Sequence, residues 1–160
     1  LFNSDELFTG IAAGISDRKY NLSVSLGYAF RPGAIRVLEP AGVGNYYQYW
    51  ERRSLYSLSL DKAFLFREGK NGYRAGVTAG ISGVMTYGRY RGTSLRPDVQ
   101  YLVSPAAGLL LRNSYLCLHL EYVWLDLHLQ EMSGNHFNVG VDFLINRKRG
   151  NVQSKPVSGL

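Results

Sequence analysis

The segment Tyr20 to Arg31 alternates without interruption. Tyr20, Leu22, Val24, Leu26, Tyr28 and Phe30 are apolar, whereas Asn21, Ser23, Ser25, Gly27, Ala29 and Arg31 are polar or small. A period of two fixes a β-strand with two unlike faces. One face is wide and carries aromatic rings at both ends; the other is narrow and hydrophilic. A strand of this kind suits a barrel wall that is greasy outside and polar inside, as in a transmembrane β-barrel.

The pattern recurs along the chain. A first strand covers Leu7 to Ser16, with Leu7, Thr9, Ile11, Ala13 and Ile15 on one face. After the second strand, Pro32-Gly33 opens a long excursion to Gly44. Ile35 and Val37 in it read as an upper extension of the second strand; a separate short strand over Ala34 to Leu38 is the alternative. A third strand runs from Tyr46 to Phe66, with Tyr56, Leu58 and Leu60 outward and Ser57, Ser59 and Asp61 inward. Lys62 stands in the apolar phase close enough to the strand end to snorkel. The fourth strand turns Tyr73, Ala75, Val77, Ala79, Ile81, Met85 and Tyr87 outward. The fifth, Val99 to Leu111, contains Pro105, which lacks a ladder donor and predicts a local irregularity. The sixth starts at Tyr115 and has an apparent phase slip at Val123 to Leu125 that predicts a bulge. The seventh alternates cleanly from His136 to Ile145, and a basic, polar tail occupies Arg147 to Leu160.

Connection lengths carry separate information. Short turns follow the first, third and fifth strands, and long loops follow the second, fourth and sixth. Up-and-down membrane barrels sort their connections in this way, with short periplasmic turns and long extracellular loops. Such barrels have an even strand count. Seven strands, the first descending, therefore predict an eighth strand before Leu1, absent from this chain or supplied by something else. The span Tyr20 to Phe30 converts to about 25 Å of height at ~3.3 Å per residue and a tilt near 40°. Tyr20, Phe30, Tyr73, Tyr87 and Trp124 are the expected aromatic girdle.

Composition narrows the class. The chain has 160 residues, enough for one barrel over residues 1–146 and the tail at 147–160. It lacks an initial Met and a signal-peptide pattern, as expected of a processed start. Net charge is +6, but Lys and Arg are scattered over strand ends and loops instead of forming one stripe, so nucleic acid is not an expected partner. Cys117 is the only cysteine, which precludes an internal disulfide or a cysteine-pair metal site. No cofactor or metal is expected. The glycines, among them Gly10, Gly14, Gly76, Gly80, Gly83 and Gly108, read as room for neighbouring side chains.

The inward phase holds Asp61, Arg74, His119, Glu121 and Asp142. Charges inside a narrow barrel must be paired. Arg74 is the expected partner of Asp61 across the hairpin, and an arginine or His119 is expected between Glu121 and Asp142. A salt-bridged plug is the main reading of this lumen network. His128, Glu131, Ser133 and His136 surround one long loop and hold the ingredients of a Ser-His-acid hydrolase. A soluble lipocalin-like barrel is a third reading, and it requires an apolar interior.

Asn138, Gly140, Phe143 and Ile145 stand at the four defined positions of a pattern that resembles the C-terminal β-signal of outer-membrane proteins. As a whole, the chain resembles small eight-stranded barrels of the outer-membrane-protein A, X and W kind, and more closely the outer-membrane barrel-domain proteins of Bacteroidota. The resemblance implies an all-β, antiparallel up-and-down transmembrane barrel, seven strands visible and eight expected, in a bacterial outer membrane, with the tail in the periplasm. It implies contact with outer-membrane lipid and lipopolysaccharide, handling by the barrel assembly machinery, and an envelope protein as partner. The expected role is non-enzymatic: a structural or accessory subunit of an envelope complex, in secretion or barrel assembly. A lipid A-modifying hydrolase is the alternative.

Overall fold

The computed structural model describes residues 1–2, 6–17, 19–42, 44–66, 72–125 and 134–145. Eight β-elements appear in it: β1 (Thr9–Asp17), β2 (Leu22–Phe30), β3 (Ile35–Gly42), β4 (Asn45–Leu65), β5 (Arg74–Tyr90), β6 (Gln100–Arg112), β7 (Leu116–Trp124) and β8 (Asn135–Phe143). They form one antiparallel sheet in the order β1-β2-β4-β5-β6-β7-β8, with β3 paired to β4. The sheet is curled into a half-barrel of seven strand positions.

β3 shares the flank of β4 with β2. Phe30 lies opposite Ser54 and Ile35 opposite Glu51, so four residues of one line span two of the other. Pro32-Gly33 makes this offset. β3 is thus a separate element that continues the line of β2, and the excursion expected as a loop is itself paired strand. β3, the upper half of β4 and the top of β5 rise beyond the other strands at the long-connection end.

Local chemistry explains the short turns. Asp17 Oδ1 accepts the amides of Lys19 (2.7 Å) and Tyr20 (3.1 Å), and Asn21 takes a positive φ of 51°. Asn113 Oδ1 accepts those of Tyr115 (2.8 Å) and Leu116 (2.7 Å). Both are side-chain mimics of a backbone turn. The Lys62 ammonium caps the Tyr20 carbonyl and lies 6.0 Å from the Phe64 ring centre.

Two expected irregularities take another form. Pro105 sits in unbroken register opposite Ile81, and the ladder to β7 stops at Ala106–Val123. The next pair in that register would be Pro105 with Trp124. Proline has no N–H to give, and the Ser104 hydroxyl donates to the Trp124 carbonyl instead (2.8 Å). No bulge occurs at Val123 either: β7 and β8 stay in register through Trp124–Asn135. Val123 and Leu125 belong to the inward phase.

Those two residues belong to the core. Phe8, Leu55, Val84, Leu102, Val123 and Leu125 are buried together inside the curl, in its long-connection half. The outer face is the opposite. Leu26, Leu58, Ile81, Val103, Leu109 and Val139 are each 48–66% exposed. The alternation places them all on the convex side. An apolar surface continuous over the strands far exceeds the patches usual on soluble monomers.

Candidate functional site

The lower lumen, toward the short connections, holds the polar network. Thr78 on β5, Gly108 on β6, Glu121 on β7 and Asn138 on β8 share one ladder row. Glu121 accepts from the Asn138 amide (2.9 Å) and from the Thr78 hydroxyl, which reaches across the glycine (3.3 Å). Two residues along β7, His119 Nδ1 lies 3.2 Å from Asp142 Oδ2. His119 is therefore hydrogen-bonded to Asp142, while the hydrogen bonds to Glu121 come from the neutral donors Asn138 and Thr78, where His119 was expected between the two carboxylates.

The expected Arg74–Asp61 pair does not form. The β4–β5 ladder sets Asp61 opposite Gly80, six residues up the strand from Arg74. Arg74 instead stands opposite Arg112 at the short-connection mouth, beside a cavity of about 150 Å³ shared with Asn21, Gly72 and Ser114. Hairpin partners are counted outward from the turn, and that count places Asp61 too high for Arg74.

Glycines opposite these side chains make the room. A Cβ on Gly80 would fall 1.9 Å from Asp61 Oδ1, and one on Gly140 2.0 Å from His119 Nε2. At Gly108 the obstacle is backbone, the Leu120 carbonyl at 2.2 Å. Gly83 faces open space and packs against nothing within 4 Å, unlike the others. A flexible acid can swing aside, whereas a strand cannot. Gly108→Ala is expected to cost about 1–3 kcal/mol and Gly80→Ala less than about 1 kcal/mol, read from denaturant midpoints of the refolded protein.

A second charged cluster sits in the upper lumen and was not singled out in the sequence. Arg31 Nη2 meets Glu6 Oε1 at 2.5 Å, and His136 Nε2 lies 3.3 Å from Glu6 Oε2. The Arg31 guanidinium also stands 5.2 Å from the Phe8 ring centre. On β4, Arg53 binds Glu51 through Nε (2.7 Å) and Nη2 (2.6 Å). All five charged or ionisable side chains are at most 7% exposed. The phase of β4 held the signal: counting up from Ser57 turns Arg53 and Glu51 inward. Pro97, from the β5–β6 connection, and the Glu51 carboxylate both lie against Gly88, where a Cβ would meet them at 2.1 and 2.6 Å. Between the two clusters, Ser25, Ser59, Ser82 and Ser104 form one row across four strands, and Ser59 and Ser82 are joined at 2.7 Å.

His136 is fully buried within this cluster. It is not a rim base, so the hydrolase constellation loses one of its members; His128, Glu131 and Ser133 lie outside the described residues, as does the tail at 147–160.

The sheet edges form a third feature. Phe2 exchanges backbone hydrogen bonds with Phe137 on β8, both at 2.7 Å, and bridges Leu7 just before β1. The Phe8 amide donates to the Leu1 carbonyl (2.7 Å). Leu1-Phe2 thus stands between the two edge strands at the long-connection end, antiparallel to both. Below it, the described residues contain no strand between β1 and β8. Exposure peaks at these edges, with Ile11 and Phe143 both at 81%.

The expected girdle residues Tyr20, Phe30, Tyr73 and Trp124 are all 41–53% exposed on the outer face, and Tyr87 is half-buried there against Arg96. Tyr28 stacks on Phe30 and tilts against Tyr56, and Tyr122 meets Trp124 and Phe137 edge-on, adding to the ring at the upper end. Asn138 and Gly140 of the assembly pattern serve the lumen network, Phe143 ends β8, and Ile145 follows it, exposed.

These features define a curled antiparallel sheet with an apolar outer face and an inner face lined by both polar and apolar side chains. Comparison with protein-family models, curated proteins and solved structures found no match. Among the described residues, no helix is long and apolar enough to cross a membrane and no His/Cys/Asp/Glu group is arranged to hold a metal ion.

Proposed function

We propose that this chain is a non-enzymatic, integral outer-membrane β-barrel serving as a structural or accessory subunit of an envelope complex. The carrying observation is the outer face: apolar side chains stay exposed along the strands of the barrel wall, while Glu51, Arg53, Asp61, Glu121 and Asp142 lie in the inward phase and the outward arginines of β3, β4 and β5 stand above the apolar band. A surface of that extent needs lipid or protein against it. The sorted connections and the aromatic residues at both ends of the apolar band support lipid. The inner face, with an apolar cluster above and a hydrogen-bonded row below, favours a side-chain-filled interior over bulk conduction or a lipocalin-like ligand cavity. Buried His136 removes support from the hydrolase alternative.

The open edge between β1 and β8 favours a subunit role. A strand entering below Phe2 would meet unpaired backbone on both sides, the usual basis of β-augmentation. The last-strand pattern supports delivery by the barrel assembly machinery, and the basic tail would reach periplasmic partners or anionic headgroups.

The test is refolding from urea into phosphatidylcholine vesicles. The barrel reading expects a compact, heat-modifiable band on cold electrophoresis and protection of the strands from protease. A stable monomer in plain buffer overturns it. Pull-down in mild detergent then tests the subunit role, which fails if the protein purifies alone.

A further inference from the structure

Arginines gather on the outer face just above the apolar band. Arg52 on β4 lies directly opposite Arg89 on β5. One row higher, Trp50 lies between Arg36 on β3 and Arg91, whose amide donates to the Trp50 carbonyl (2.8 Å). Their neighbours in the other phase, Val37, Glu51, Arg53 and Tyr90, are buried inward, so these four guanidinium groups share the outer side. All four are exposed, and no described side chain pairs with any of them.

Like charges directly opposite one another destabilise a ladder. Here no described side chain compensates that repulsion. An open cavity of about 250 Å³ lies between Arg52, Arg89 and Arg91, floored by Tyr90 and Gly92. The row below, Phe30, Ser54 and Tyr87, is where the apolar band begins. One row is ~7 Å along a strand, close to the distance between a lipid phosphate and its first acyl carbons. The patch contains arginine and no lysine. Guanidinium forks bind phosphate oxygens in pairs, and a tryptophan between them suits the interface between headgroup and acyl chain.

We propose that Arg36, Arg52, Arg89 and Arg91, arranged around Trp50, form a binding site for a multiply phosphorylated, multiply acylated lipid of the outer leaflet. Its phosphates bridge the opposed Arg52 and Arg89, and its chains lie along Tyr28, Phe30 and Tyr56. The proposal rests on the membrane reading and adds a specific lipid to it. Four cations that no described side chain pairs call for an anion carrying more than one charge, and a phosphate monoester meets two guanidinium forks better than a diester does.

The experiment uses the full chain in nanodiscs of phosphatidylcholine alone, or with one-tenth phosphatidylglycerol, monophosphoryl lipid A or bisphosphorylated lipid A. Lipid retained through detergent exchange is measured by native mass spectrometry. The expected order of retention is bisphosphorylated over monophosphorylated lipid A, with phosphatidylglycerol weakest. The double variant R52Q/R89Q is expected to lose at least about tenfold of lipid A retention, as for removal of two charge-assisted contacts. R74Q/R112Q, at the opposite mouth, serves as the charge-matched control and should retain wild-type binding. Equal retention of phosphatidylglycerol and lipid A, or an unchanged R52Q/R89Q, overturns the site. So does displacement of lipid A by polyglutamate, which would mark a general anion surface. Failure to insert into phosphatidylcholine discs overturns the membrane reading itself, a result distinct from insertion without lipid selectivity.

Discussion

Leu58→Arg is expected to lower stability in phosphatidylcholine vesicles by about 2–4 kcal/mol, the cost of a cation on a lipid-facing strand near the bilayer midplane. Leu58 is 55% exposed and sits between Leu26 and Gly83, near the middle of the outer face. The direction is informative because the same change on a water-exposed strand stays within about 0.5 kcal/mol. Gln48→Arg is the control. It lies ten residues up the same strand, in the same phase and beyond the apolar band, and is expected to be near neutral. Urea titration of the vesicle-bound protein, followed by tryptophan emission, reads both. Equal and small effects at the two positions would mean that the outer face does not meet lipid.

Arg31→Met is expected to destabilise the fold by about 3–5 kcal/mol, because it strips the strongest cationic contact from a buried carboxylate. Arg31 and Glu6 are 4% and 7% exposed and meet at 2.5 Å. The double variant Glu6→Leu with Arg31→Met should recover most of that loss, since a buried ion pair replaced by apolar side chains often costs little. A local readout separates this from general damage. Glu6 connects the N-terminal segment to β2 and to His136 of β8, so hydrogen exchange at the Phe2 and Phe137 amides should accelerate first in Arg31→Met. Uniform acceleration over all strands, or a double variant worse than the single, would contradict this picture.

Much of the wall was legible in the sequence. The seven strand positions and their outward faces follow from residues two apart, and two of the turns from their own chemistry, and both are local. Asp17 and Asn113 show this: each bonds amides two and three residues on, so the chain itself sets the turn. The site was legible only in part. The inward phase of His119, Glu121 and Asp142 follows from alternation, but which groups meet follows from register: His119 reaches Asp142 and does not bridge the two carboxylates by hydrogen bonds. Arg74 failed as the partner of Asp61, and Asn138 and Thr78 emerged as those of Glu121.

The sequence by itself determined which side of each strand is apolar, because alternation is a property of the single strand and survives any pairing. Only the tertiary structure decided which residues share a row. Row membership depends on ladder register, which is set by the offset between strands. The two-residue shift at Pro32-Gly33 brings Arg36 level with Trp50 and Arg91, and the β4–β5 register brings Arg52 against Arg89. The buried core of Phe8, Leu55, Val84, Leu102, Val123 and Leu125 is likewise a product of curvature. Apart from the Val123/Leu125 pair, each is a single apolar residue in the inward phase of its own segment, and they become a core only where the curl of the sheet brings the inner faces together.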